Sequence, residues 1–286
     1  MKLKIAFGVL LAGILAASVL YTVRAASGPP AASAPLPSPS PTLHGDGLSD
    51  SHDGYRMIAV TVPDARGPAK EVAFRILGPD GEPATEYDDL QTQRLHMYVV
   101  RDDMSAYQHL HPTLDAGTWR ATVAVPDGGA YRVFAEFLPR GRGGAGHPTV
   151  LGVPFLIPGD TNFVPLPAPA KTATAGPYTV TRLDGLAMLP VGRSAMMRFE
   201  VSDASGTVVT ALEPYLGAYA HLSSFESQSL ALTHLHPLAP AMTTAGPSGS
   251  TLVFHAQFGT RGEQRMFLQF AAGGKVQLAE FTVFVT

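Results

Sequence analysis

Residues 95–112 read Leu-His-Met-Tyr-Val-Val-Arg-Asp-Asp-Met-Ser-Ala-Tyr-Gln-His-Leu-His-Pro, and residues 220–237 read Ala-His-Leu-Ser-Ser-Phe-Glu-Ser-Gln-Ser-Leu-Ala-Leu-Thr-His-Leu-His-Pro. Each stretch holds a His, twelve intervening residues and then His-Leu-His-Pro. A constant offset of 125 pairs His96 with His221, His109 with His234 and His111 with His236. Upstream, Phe74, Ile76 and Gly81 are answered at the same offset by Phe199, Val201 and Gly206. Downstream, 118–137 aligns without a gap on 251–270 at offset 133, keeping Gly129/Gly262, Arg132/Arg265 and Phe134/Phe267. The second copy therefore carries one loop insertion. The chain is a tandem of two modules of roughly 105–110 residues, too large a period for a solenoid.

Within the quoted stretch, 94–100 and 106–111 read as two strands flanking a short polar turn at 101–104. Alternate strand residues share a face, so His109 and His111 lie together. Antiparallel pairing sets His96 opposite one or the other of them. Imidazoles on directly paired positions, with Cβ atoms about 4.5–5.5 Å apart, converge on one small cation. The same holds for His221, His234 and His236. Three neutral imidazoles suit Zn²⁺ or Cu²⁺ and leave a coordination position open. Leu95, Met97 and Val99 on the other face predict that this side meets the core and leaves the histidines near the surface, although Tyr107 and Leu232 fall on the histidine side. The competing interpretation is structural: His-x-His-Pro ends a strand, its imidazoles bond loop carbonyls, and Pro112 or Pro237 stops the ladder. A partner-docking surface is a third.

Further strands are predicted at 57–62, 71–77, 119–125, 133–137 and 151–157, with Trp119, Ala121, Val123 and Val125 alternating against Arg120, Thr122 and Ala124. No stretch in either module carries an amphipathic helix. Gly 29 and Pro 25 with 15% charged residues fit a turn-rich β chain. The expected fold is all-β: two tandem Greek-key sandwiches, immunoglobulin-like or cupredoxin-like, after an N-terminal signal or anchor helix. The modules are assigned to 55–158 and 176–286, joined by a linker at 159–175. Phe137 and Phe270 are core candidates, and Phe134 and Phe267, on the opposite face, are candidates for packing between modules or onto a partner.

The chain starts Met-Lys-Leu-Lys, followed by largely apolar residues from Ile5 to Val23. Residues 1–25 are thus a signal peptide cut after Ala25 or an uncleaved membrane anchor, and both place the modules outside the cytoplasm, secreted or tethered to the plasma membrane. Residues 26–54, rich in Pro, Ala and Ser, are expected to be a disordered linker. His44, Asp46, Asp50, His52 and Asp53 within it read as solvated rather than as a cation site.

A net charge of −3 with no basic stripe argues against nucleic acid as a partner. With no cysteine there is no disulfide, thiolate ligand or thiol nucleophile. The pairs Asp88-Asp89 and Asp102-Asp103 sit in turn-like sequence, where solvated carboxylates are ordinary. No nucleophile elbow, His-Glu-x-x-His or phosphate-loop motif is present, and the glycine run at 141–146 opens no helix, so an enzyme is not expected. Met97 reads as core; His147 and His255 read as incidental.

The string Leu-His-Met-Tyr-Val-Val-Arg-Asp-Asp with His-Leu-His-Pro, followed by Tyr-Arg-Val-Phe-Ala-Glu-Phe, resembles uncharacterised exported bacterial proteins, some of them encoded beside heavy-metal and copper-handling genes. More remotely, the modules resemble periplasmic copper-carrier and YtkA-like domains, although the paired-Met motifs of the carriers are missing here. The family has no settled activity to carry over, and the likeness only adds weight to the metal reading. Taken with the residues, the expectation is a cell-envelope protein that binds copper or zinc, meets the membrane through its N-terminal segment and has an envelope protein as candidate partner. The likeness assigns no ligand by itself. The alternative is a non-catalytic structural or interaction pair whose histidines only brace the hairpins.

Overall fold

The computed structural model describes residues 45–140, 148–238 and 251–286, with the backbone alone for His234 and His236. The N-terminal 1–25 segment, the Pro-rich part of 26–54, the glycine run, His44 and His147 lie outside the described residues. Among the described residues there is no helix, and hence none long and apolar enough to cross a membrane.

In the first module the strands are β1 (Ser51–His52), β2 (Tyr55–Thr61), β3 (Gly67–Leu77), β4 (Tyr87–Asp88), β5 (Leu95–Arg101), β6 (Gln108–Leu110), β7 (Thr113–Asp115), β8 (Thr118–Val125), β9 (Gly129–Pro139) and β10 (Thr149–Ile157). A sheet ordered β1-β2-β3-β8-β7 packs on one ordered β10-β9-β5-β6, with β4 beside β9. Trp119, Val123 and Val125 of β8 meet Met97, Val99 and Phe137 in the core between them. The alternation read in 119–125 is real, and Met97 is core.

The second module repeats the plan with β11 (Thr172–Ala175), β12 (Tyr178–Arg182), β13 (Ser194–Ser202), β14 (Ala220–Glu226), β15 (Leu232–Pro237), β16 (Leu252–Gln257), β17 (Gly262–Ala272) and β18 (Lys275–Val285). They form one path, β11-β12-β13-β16-β15-β14-β17-β18. The path is continuous because β15 changes sheets. Residues 232–235 pair with β14, whereas His236 and Pro237 pair with β16. In the first module the same crossing is split at His111-Pro112, with β6 on β5 and β7 on β8. Pro lacks the N–H that a ladder needs, so the His-Leu-His-Pro string marks where the chain leaves one sheet for the other.

Backbone conformation repeats with the sequence. Gln91 and Thr92 (φ 48° and 67°) are matched by Leu216 and Gly217 (φ 52° and 75°), and Gly129 (φ 122°) by Gly262 (φ 126°). Left-handed φ is costly for a residue with a Cβ, so Gln91, Thr92 and Leu216 keep it only because their surroundings fix it.

The two modules pack through the outer faces of β5-β9 and β14-β17. Tyr98, Val100, Met104, Phe134 and Val150 of one meet Phe225, Leu232 and Phe267 of the other in a third apolar cluster. This corrects the expectation that the histidine face lies near the surface. All seven residues of β5, and all seven of β14, are buried, because one face meets its own core and the other the neighbouring module. Tyr107 and Leu232, out of place for a solvent face, belong to this seam. So do Phe134 and Phe267, each no more than 1% exposed.

Both stretches read as linkers carry structure. Residues 45–50 lie as a strap in the seam: the N–H of Gly152 donates to Ser49 O, that of Leu232 to Asp46 O, and Arg132 Nη1 to Gly47 O at 3.0 Å. A side chain at Gly47 would run into the Phe134 ring, so glycine is required there. In the 159–175 stretch, Asn162 N–H donates to Asp127 at 2.8 Å, Val164 N–H to Asp103 at 2.8 Å, and 172–175 form β11. Asp103 is not solvated: it is buried against the Arg101 guanidinium, with Arg101 Nε donating at 2.9 Å. Burial works against its ionisation, but the bonds from Arg101, Ser105 and Val164 outweigh that and hold its carboxyl far below the usual range.

Candidate metal centre at the seam

Of the predicted triads, the first is seen whole. The observed register pairs Met97 with Leu110 and Tyr98 with His109, which by extension sets His96 opposite His111. One nitrogen of each ring points to a common centre, all three within 4.8 Å of one another. His96 Nδ1 lies 2.9 Å from His109 Nε2 and 3.3 Å from His111 Nε2. Nitrogen ligands at about 2.0–2.1 Å from a tetrahedral cation stand about 3.3 Å apart, so little ring movement is needed.

The outward nitrogens decide the tautomers. His96 Nε2 lies 2.8 Å from Leu90 O, which only accepts, so Nε2 carries the proton and Nδ1 presents its lone pair inward. His109 Nδ1 lies 2.7 Å from Gln269 Oε1, so it too is the donor and its Nε2 lone pair also turns inward. Two acceptors thus face each other at 2.9 Å. Without an ion, His111 Nε2, 3.3 Å from His96 Nδ1, is placed to donate to it; a cation would instead take a lone pair from each ring.

A shared proton is disfavoured. Burial above all, then the positive charge that neighbouring His96 and His111 would add, holds the His109 pKa well below its usual 6.5, although the Gln269 bond works the other way. Burial lowers His111 as well. His96 is fully buried and His109 and His111 are half-buried. On the seam side, the space between Tyr98, Tyr107, His221 and Ser223 has no room for a water molecule. Tyr98 stacks on His109 with ring centroids 4.6 Å apart and donates to Glu136 Oε2 at 3.0 Å. Burial and the Glu136 carboxylate push its phenol well up, so it stays protonated and keeps its bond to Glu136.

In the second module His221 is the member of the triad whose side chain is described. His221 Nε2 lies 2.8 Å from Tyr215 O, the counterpart of Leu90. Its Nδ1, which corresponds to the inward nitrogen of His96, lies 2.9 Å from Oε1 of Gln91, a residue of the first module. The side chains of His234 and His236 are outside the described set. His255 is buried beside β15, its Nε2 against Ser194 Oγ. His52 faces Asp53 at 3.5 Å on the surface.

Two participants escaped the sequence, Gln269 and Gln91. A signal for Gln269 existed: it aligns with Glu136, a polar position shared by two otherwise apolar strands, on the face of Phe134 and Phe267. Gln91 gave none, since it projects from a loop.

Comparison with known proteins places the chain in a family. Residues 50–149 and 172–286 match the family described as "Domain of unknown function (DUF8832)", and the chain belongs to it. The two matched segments are the two modules. No curated protein sequence matches. Among solved structures, the chain is similar to Escherichia coli alpha-2-macroglobulin (11% identity, 81% of this chain, 20% of that one, TM-score 0.27). It is also similar to domains 4 and 5 of the S-layer protein SbsC (9%, 81% and 97%, TM-score 0.25) and to the Escherichia coli adhesin FdeC (14%, 82% and 64%, TM-score 0.26). The chain spans about a fifth of the length of the macroglobulin it matches. Likeness to copper-carrier or YtkA-like domains is not among these findings.

Proposed function

We propose that this is an exported or membrane-tethered cell-envelope protein that binds a transition-metal cation, copper or zinc, through His96, His109 and His111, with His221, His234 and His236 as the equivalent set of the second module. One observation carries the proposal: three ring nitrogens converge while the outward nitrogens of His96 and His109 donate to oxygens, leaving lone pairs aimed at one point. Such outward bonds are how metal-binding histidines are held in their ligating tautomer. Three imidazoles leave a coordination position open to water or to a ligand from a partner protein. Titration of the chain with Zn²⁺ and Cu²⁺ by calorimetry, beside the H96A/H109A/H111A variant, tests it. Tight uptake lost in the variant is the expected result; uptake unchanged by the substitutions rejects the site.

A structural role has its own support in the second module. His221 has a protein group at each ring nitrogen, Tyr215 O at Nε2 and the Gln91 carboxamide 2.9 Å from Nδ1. On this second reading the histidine braces hairpin and seam in that module.

A further inference from the structure

The triad does not belong to the first module alone. The bond that fixes the tautomer of His109 comes across the seam from Gln269 on β17 of the second module, at 2.7 Å. A second bond runs the other way, from Gln91 of the first module to His221 of the second, at 2.9 Å. Between the two, Tyr107 stacks on Phe267 (centroids 3.9 Å apart, planes 6° off parallel) and its hydroxyl meets Ser223 Oγ at 2.9 Å. The metal-facing nitrogen of His109 is thus oriented by the surface that docks the modules.

We propose that Gln269 is the positioning residue of the His96–His109–His111 site, so that cation binding and module docking are linked and the protein works as a cation-tightened clasp. This rests on the metal-binding proposal above. A cation on Nε2 draws electron density from the ring, which makes the Nδ1 hydrogen a stronger donor to Gln269 Oε1. The same coordination forbids the tautomer that would turn a lone pair on that oxygen. Whatever strengthens the bond in the loaded state favours the docked arrangement by the same factor by which docking favours the ion. Gln269 touches no metal; it acts through His109.

The test uses the full chain and Zn²⁺ alone. Gln269→Leu, which removes the acceptor, should weaken Zn²⁺ binding about 10- to 100-fold while all three ligands remain. Gln269→Glu, which restores an acceptor for the same N–H, should bring affinity back to the wild-type level or beyond. A residue that merely fills the seam predicts the reverse, because a buried carboxylate would harm packing at least as much as leucine does. In the second module, amide exchange over 219–226 and 264–270 should slow when Zn²⁺ is added to wild type and stay unchanged in Gln269→Leu. Equal affinity in wild type and Gln269→Leu overturns the proposal, as does failure of Gln269→Glu to recover, or exchange unmoved by Zn²⁺ in wild type. His96→Ala separates the two levels. If it loses the ion while Gln269→Leu keeps it, only the clasp fails; if His96→Ala keeps the ion, the metal site itself is wrong.

Discussion

His96 and His221 stand at equivalent places in two copies of one module, each with Nε2 on a loop carbonyl, yet their other nitrogens meet different company. His96 Nδ1 faces two more imidazoles; His221 Nδ1 faces the carboxamide of Gln91, borrowed from the other copy. The hairpin registers of the two modules agree: Tyr98 pairs with His109 as Ser223 pairs with His234. The residue that each module lends its neighbour differs. Gln91 corresponds to Leu216, and Gln269 to Glu136. Two hairpins of one register thus carry different neighbours at the inner nitrogen of an equivalent histidine, two imidazoles in one and a carboxamide of the other module in the other.

The largest expected effect tests the part the copies share. Phe137 and Phe270 are both fully buried at matching places, so replacing either by Ala should cost about 3–5 kcal/mol through a core cavity. Denaturant unfolding of the two variants should give similar losses; a loss below about 1 kcal/mol in one would show that the cores are not equivalent.

Next in size is ion binding. His96→Ala should lower Zn²⁺ affinity by at least 100-fold, about 2.7 kcal/mol, whereas His221→Ala should leave the tighter binding step within a few-fold of wild type. Calorimetry that finds two equal steps, each lost with its own histidine, would erase the contrast between the modules.

Acid should act on the first module through the same rings. In the folded, metal-free protein His109 and His111 resist protonation because burial lowers their pKa, while in the unfolded chain they titrate near 6.5. Below about pH 6.5 the unfolded state therefore binds more protons. Stability falls as pH drops from there towards the lowered folded values, by up to about 1.4 kcal/mol per pH unit for each ring. Bound Zn²⁺ should be retained to lower pH than an unperturbed imidazole would allow. Unfolding midpoints at pH 7.5 and 5.5, with and without H109N/H111N, measure this; a midpoint equally acid-sensitive in the variant would assign the effect elsewhere.

The smallest change concerns the seam. Tyr107→Phe keeps the stack on Phe267 but removes the bond to Ser223, and should cost about 0.5–1.5 kcal/mol. A larger loss, accompanied by weaker Zn²⁺ binding, would mean that docking depends on the hydroxyl more than on the ring.

How much of this was legible in the sequence follows from range. The repeat shows as identities at fixed offsets, and the all-β plan and the meeting of His96 with His109 and His111 depend on pairings a dozen or so residues apart, which alternation within a hairpin is enough to find. The seam depends on contacts such as His109 to Gln269 and Tyr107 to Ser223, more than a hundred residues apart in the chain. Period-two patterning reports how many faces of a strand are apolar, not what covers the polar one. The string Leu-His-Met-Tyr-Val-Val-Arg looks half-exposed because histidine and tyrosine tolerate water, and it is wholly buried because a second sandwich satisfies them. Residues 45–50 were opaque for a related reason: a strap held by its backbone needs small residues and few apolar ones, which is also the composition of a loose tether.

That strap has a mechanical meaning. Its carbonyls take hydrogen bonds from both sandwiches, Asp46 from Leu232 in one and Ser49 from Gly152 in the other, and Asp50 O holds the N–H of Met57 at the start of β2. Tension applied from the N-terminal side meets the Asp46–Leu232 bond first, then the Arg132 contacts to Gly47 and Leu48, and only afterwards the strands of a core. Under load the strap would come away from both sandwiches before a core strand is reached.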